Sequence, residues 1–278
     1  MSPALQCGDT ALDLSQPRIM GILNITPDSF SDGGFFMSPD KALAQAERMI
    51  NEGAAIIDIG GESTRPGAES VSVQEELDRV IPVIEAIHSR LDTIISIDTS
   101  KPAVMRAAVA AGAGMVNDVC ALQAEGAVQA VQQAGVPVCL MHMQGEPRSM
   151  QNRPHYTNVV AEVKSFLQQR AAACVDGGID PSRIVLDPGF GFGKTLEHNY
   201  SLIKHLTDFI EMGYPLLVGL SRKSMIGAVL DRSVDERIYG SIALAALACW
   251  SGAHILRVHD VGATRDAIKV CHAARRAD

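Results

Sequence analysis

The chain has 278 residues, of which 47% are hydrophobic, 20% charged and 4% aromatic; that composition suits one water-soluble β/α barrel, a fold that takes roughly 250 residues. A formal net charge of −8 and the lack of any basic run exclude nucleic acid and an anionic membrane as the main partner, because both are held by clustered Lys and Arg. Six cysteines, at positions 7, 120, 139, 174, 249 and 271, form no Cys-x-x-Cys pair, so reduced thiols in a cytoplasm are expected rather than a zinc site or a disulfide framework.

Residues 1–17 have neither the basic start nor the apolar stretch of a signal peptide. With Gly8-Asp9 between two semi-apolar stretches, they read as a short hairpin capping a barrel floor. Short β-branched runs then alternate with Ala-rich helical stretches to the end of the chain. The strands are expected at 18–25, 55–61, 93–99, 115–121, 137–143, 183–189, 215–221 and 254–261. Helices are expected at 39–52, 74–90, 102–111, 126–134, 158–176, 199–212, 236–251 and 262–275. Gly53, Gly112, Gly135, Gly177 and Gly252 mark helix stops, where glycine takes the left-handed cap conformation. The apolar run at 242–250 is too short to span a bilayer, which needs about 20 residues.

Eight strands alternating with eight helices predict an α/β chain closed into a single (β/α)8 TIM barrel over residues 18–278, with the hairpin at 1–17 and no second domain. An open doubly wound sheet would place a Gly-rich turn after the first strand, where this chain has Asn24-Ile25-Thr26-Pro27. Two connections are long and polar, 26–38 and 60–73, and both follow strands at the face where barrels place their chemistry.

Nearly every strand ends in a polar residue, which is costly in a buried strand unless the group is paired or used. They are Asn24, Asp58, Asp98, Asn117, His142, Asp187, the Ser221-Arg222-Lys223 run, Arg257 and His259. Residues two apart on a strand share a face, so Ser96 points with Asp98 and Arg257 with His259. Asp98, Asn117 and Asp187 suit a flat heterocycle displaying NH donors, as a carboxylate suits a guanidinium fork. Arg65, Lys223, Arg257 and His259 suit phosphate. Taken alone, the residues leave open whether Asp98 and Asp187 are merely buried partners of structural Arg or Lys, whether His142 is a core histidine, and whether Arg222 lies in a solvated turn. The run Leu186–Thr195 imitates a phosphate loop but has Pro188 where that motif needs Gly.

Seven segments, GILNITPDSFSDGG (21–34), IIDIGGESTRPGA (56–68), ISIDTSKPAV (95–104), CLMHMQGEP (139–147), LDPGFGFGKT (186–195), LLVGLSRKSMIG (216–227) and RVHDV (257–261), resemble in order and spacing those of dihydropteroate synthases. The chain departs from some members at Val119-Cys120, where they carry an Arg. The resemblance implies condensation of 7,8-dihydropterin-6-ylmethyl diphosphate with p-aminobenzoate, with Mg²⁺ as cofactor, in a cytoplasmic homodimer that is a sulfonamide target. It implies that Asp98, Asn117, Asp187, Lys223 and Met141 hold the pterin, and that Lys223, Arg257, His259 and Asp98 carry the catalysis. Asn24, Thr64, Arg65, Arg257 and His259 would receive the diphosphate, with Asn24 on the metal. Thr64, Arg65, Pro66, Phe30, Phe192 and Ser221 would frame p-aminobenzoate. Two competing readings are a methyltransferase acting between methyltetrahydrofolate and a corrinoid protein, which has no use for a diphosphate pocket, and a catalytically silent pterin-binding paralogue. A sugar-phosphate aldolase barrel would want a Schiff-base Lys or clustered His ligands, and the eight His are scattered.

Overall fold

The computed structural model describes residues 4–25, 38–63, 67–68, 70–146 and 149–277. The hairpin comes first: β1 (Ala4–Cys7) and β2 (Thr10–Asp13) pair antiparallel around the Gly8-Asp9 turn, where Gly8 takes φ +59°. Then follow β3 (Arg18–Asn24), α1 (Pro39–Glu52), β4 (Ile56–Gly60), α2 (Val73–His88), β5 (Ile94–Asp98), α3 (Pro102–Ala110), β6 (Met115–Asp118) and α4 (Ala127–Ala134). The second half is β7 (Val138–Met141), α5 (Val159–Asp176), β8 (Ile184–Asp187), α6 (Leu196–Lys204), α7 (Thr207–Ile210), β9 (Leu217–Val218), α8 (Ser224–Leu230), α9 (Ile238–Ser251), β10 (Ile255–Val258) and α10 (Val261–Arg276).

The eight strands β3 to β10 form one parallel sheet, with β10 beside both β3 and β9, and the bridge between Leu186 and Leu216 closes β8 onto β9. Every predicted strand is found, and so is the floor hairpin. Among the described residues, no helix is long and apolar enough to cross a membrane.

The barrel interior is stacked in layers set by the two-residue period of a strand. Its lowest layer takes one apolar side chain from each strand, Met20, Ile56, Ile94, Met115, Cys139, Val185, Leu217 and Ile255, packed on Leu5, Cys7, Leu12 and Leu14 at the hairpin. Two residues further along the strands the interior turns polar: Asp58, Ser96, Asn117, Asp187 and Arg257. Alternate residues such as Ile57, Ile59, Ile95, Ile97, Val116 and Leu140 face outward into the larger core under the helices. The interior is therefore a hydrophobic plug with a polar top.

Three local expectations need correction. The strand expected over 115–121 stops at Asp118, because its carboxylate accepts from Cys120 N and Leu122 N and turns the chain, with Ala121 and Leu122 at positive φ. The helix expected over 199–212 is two helices, since Thr195 and His198 form a capping box that starts α6 earlier and the first helix ends at His205. After α5 the left-handed residue is Gly178, at φ +90°, whereas Gly177 keeps φ −78°. Helix α8 was not anticipated, because its seven residues show too little of a helical repeat.

Candidate active site

Register aligns the upper ends of neighbouring strands: Asn24 stands beside Gly60, Gly60 beside Asp98, and Asp98 beside Asn117. The glycine matters, because a Cβ at Gly60 would sit 3.4 Å from Asn24 Oδ1 and 3.6 Å from the Asp98 Cβ. Its absence leaves room for two polar side chains to approach each other.

Arg257 organises the layer below. Its Nε donates to Asp58 Oδ2 at 2.6 Å and its Nη2 to Asp98 Oδ2 at 2.7 Å. Asn117 Nδ2 donates to the same Asp58 oxygen at 3.1 Å. Nη1 of Arg257 has no hydrogen-bond partner among the described residues, nor has Asp58 Oδ1 or Ser96 Oγ, both buried. Burial pushes the Asp98 pKa up to about 7, with Arg257 opposing and Asp58 and Asp118 adding to the rise. Burial also disfavours the charged Arg257, but Asp58 and Asp98 outweigh it and hold the pKa above the ordinary arginine value. Sequence reasoning grouped Arg257 with the phosphate cations; the fold commits two of its three nitrogens to carboxylates.

On the opposite wall, Asp187 Oδ1 accepts from Gly189 N at 2.7 Å, and burial raises its pKa against the pull of Lys223. Lys223 Nζ donates to the Phe190 carbonyl and stands 4.5 Å above the centroid of the Phe192 ring. Burial brings its pKa down to about 8, with Asp187 working the other way. An ammonium on an aromatic face is an electrostatically favourable seat. Met141 pairs in register with Asp187, so the two side chains share a level of the barrel.

Ser221 and His259 meet where β9 and β10 give way to loops, with Oγ 3.0 Å from Nδ1 and also accepting from His259 N at 3.2 Å. Arg222 follows Ser221 at φ +57°, clamped to Asp260 by two bonds of 3.0 and 2.6 Å. Its backbone N–H donates to Ser241 and its carbonyl accepts from Arg237. Arg222 is thus a tie between the ends of β9 and β10 rather than a solvated turn residue.

His142 is a core histidine. Its ring lies edge-on to Phe166 at 4.9 Å, and burial, aided by Lys194, drops its pKa to about 3. Beside β4 an ion cluster joins Lys101 to Glu62 and the fully buried Glu76, while Glu62 also accepts from Val71 N. These groups, with Asp58 and Lys194, were not among the sequence-predicted site residues. Only the position of Asp58 at a strand end hinted at its place. Phe30, Thr64, Arg65 and Pro66 lie outside the described residues. The others converge on the C-terminal mouth of the barrel.

A barrel whose mouth carries carboxylates, an amide and cations around one polar layer is the architecture of a small-molecule enzyme. The family model for pterin binding enzymes matches residues 20–259. Dihydropteroate synthase of Haemophilus influenzae is 56% identical over 273 residues, covering 98% of this chain and 99% of the relative, and that of Escherichia coli K12 is 55% identical, covering 95% and 94%. The solved Xanthomonas albilineans dihydropteroate synthase with 4-aminobenzoic acid superposes with a TM-score of 0.95 at 52% identity, over the full length of both chains. A Yersinia pestis synthase solved as a sulfonamide drug complex gives 0.95 at 51% identity, covering 99% of this chain and 100% of its own. The chain belongs to the dihydropteroate synthase family of pterin-binding enzymes.

Proposed function

We propose that this chain condenses 7,8-dihydropterin-6-ylmethyl diphosphate with p-aminobenzoate to give 7,8-dihydropteroate and diphosphate. The supporting observation is the joining of two chemistries at one barrel mouth: acceptors fit for an amino-oxo-pyrimidine edge at Asp98, Asn117 and Asp187, next to cations fit for diphosphate at Lys223 and Arg257. A related structure of the Xanthomonas albilineans synthase is described as a complex with 7,8-dihydropteroate, the product expected here.

In this reading Asp98, Asn117 and Asp187 accept from the pterin NH groups, Met141 lines the ring, and Lys223 donates to an acceptor on its far edge. With a pKa near 8, Lys223 is mostly protonated at neutral pH and suited to that task. The diphosphate goes to Arg257, through its uncommitted Nη1, and to His259, Asn24, Thr64 and Arg65. Phe192, Ser221, Phe30, Thr64, Arg65 and Pro66 frame the aromatic amine.

The reaction breaks the methylene C–O bond, with the electron pair leaving on the diphosphate. The resulting cation is stabilised by conjugation with the pterin. The aniline lone pair then forms the C–N bond, and the nitrogen sheds its proton afterwards. A strong general base is not needed, and the residues act by binding, orienting and neutralising charge.

The residues fit Mg²⁺ held chiefly by substrate. Asn24 ends β3 at the mouth, its side chain takes no hydrogen bond among the described residues, and those residues include no cluster of three His, Cys, Asp or Glu that would cage a metal. One protein oxygen plus waters and phosphate oxygens is a common Mg²⁺ arrangement. When bound, the ion neutralises charge on the departing diphosphate.

We also read the enzyme as cytoplasmic, from its lack of a disulfide framework, and as homodimeric, since α9 exposes Tyr239, Leu247 and Trp250, all more than half accessible. Light scattering on the purified protein tests the dimer. Sulfonamides are expected to compete with p-aminobenzoate.

The assay mixes purified protein with the pterin diphosphate, Mg²⁺ and labelled p-aminobenzoate and follows dihydropteroate by chromatography. Product from the parent, lost in Arg257→Ala and Asp98→Ala, is expected. Tight binding of the diphosphate without product would favour a silent paralogue, and no binding at all would overturn the reading.

A further inference from the structure

The turn after β8, Pro188–Gly193, is built around a buried lysine that follows it. Lys194 is 3% exposed, and its Nζ lies 2.8 Å from the Gly189 carbonyl, 3.0 Å from the Phe192 carbonyl and 2.9 Å from His142 Nδ1. A fourth, longer contact of 3.4 Å reaches the His142 carbonyl. Three short acceptors match the three protons of an ammonium. Burial disfavours the charged form of Lys194 and pulls its pKa well below the usual lysine value, with Asp187 opposing and Lys223 adding to the fall. His142, neutral through burial, is free to accept.

The backbone needs such an anchor. Gly189, Gly191 and Gly193 all take positive φ, at +69°, +80° and +61°, conformations that glycine reaches easily and also leaves easily. The same turn supplies three contacts to the mouth. Gly189 N donates to Asp187, the Phe190 carbonyl accepts from Lys223, and the Phe192 ring underlies the Lys223 ammonium. The residue that binds the inner side of the turn therefore determines where its outer side presents those groups.

We propose that Lys194 is a positioning residue for pterin binding: it locks the 188–193 turn so that Asp187 and Lys223 face the ligand in fixed places. The inference rests on the reading of those two residues as pterin-binding. It accounts for the Gly-Lys pair that resembled a phosphate loop, since the lysine here binds protein carbonyls.

The test titrates 7,8-dihydropterin-6-ylmethyl diphosphate with Mg²⁺ calorimetrically into the full-length protein, Lys194→Met and His142→Leu, between about pH 6 and pH 10. The charged groups acting on Lys223 are Asp187 from β8 and Arg257 from β10, while Lys194, just past the turn, feels the Lys223 charge in its own titration. Parent affinity should fall as the pH passes the Lys223 value of about 8. In Lys194→Met, affinity at neutral pH should drop about tenfold to hundredfold, the scale of a misplaced binding group. The alkaline loss should also move upward, because a loosened turn buries Lys223 less, and burial is what lowers its pKa. His142→Leu keeps the lysine amine and its carbonyl acceptors, so a smaller change in the same direction is expected; it decides the matter if Lys194→Met does not fold. Variants with parental affinity and pH profile, changed only in melting temperature, would overturn the inference while leaving the proposed function intact. A parent that binds no pterin diphosphate would overturn both.

Discussion

Arg257 on β10 and Asp58 on β4, 199 residues apart in the chain, meet inside the barrel with Nε 2.6 Å from Oδ2. Asp98 completes the group at 2.7 Å from Nη2, so one guanidinium offsets two buried carboxylates. Removing it strands both. Arg257→Met is expected to lose about 3–5 kcal/mol in urea denaturation, the scale for breaking a buried ion pair. Asp58→Asn placed on that background should recover part of the loss, giving a coupling above about 1 kcal/mol. Strictly additive effects would mean that the two side chains do not share their energy.

Glycines of like φ should respond differently to alanine. A Cβ at Gly189 would overlap the His142 carbonyl oxygen, whereas one at Gly213 meets nothing within 4 Å, and both have positive φ. Gly213→Ala should cost only the backbone strain of about 1–2 kcal/mol. Gly189→Ala should cost clearly more and weaken pterin binding as well. Equal melting temperatures for the two variants would contradict the packing described around β8.

Acid should unfold the protein partly through His142. Its folded pKa, about 3, lies below the unfolded value of about 6.5, so between those pH values the unfolded chain binds the extra proton. Stability therefore falls as pH drops through that window, by at most about 1.4 kcal/mol per pH unit from this one group. His142→Asn, which keeps a side-chain acceptor, should flatten the slope. An unchanged slope in denaturation series across the window would remove His142 from the account.

The floor hairpin supports stability and lies at the opposite end from the chemistry. Leu5 is fully buried against the lowest barrel layer. Leu5→Ala should cost about 2–5 kcal/mol, as other core truncations do, with turnover per folded molecule unchanged at moderate temperature. A selective loss of turnover with no change in stability would show that the floor communicates with the mouth.

Much of this protein was determined locally. β-Branched runs and glycine stops located all eight strands and most of the helices between them, though not α8 or the break between α6 and α7, since strand and helix periods are written in neighbouring residues. The Gly8-Asp9 turn located the hairpin. Polar residues at strand ends marked the mouth, because a barrel interior tolerates them only where they are paired or used. The seven motifs added the family and its chemistry.

Pairing was decided only by closure of the barrel. Nothing near Arg257 in the chain indicates that its guanidinium spans Asp58 and Asp98, because that depends on β10 docking beside β3 and on side chains crossing the interior. The same holds for Lys194 and His142, 52 residues apart, which the sequence presented as a false phosphate loop and an ambiguous histidine. Local pattern specifies which residues face inward; which inward residues touch depends on strand order, register and closure, and these are properties of the whole sheet.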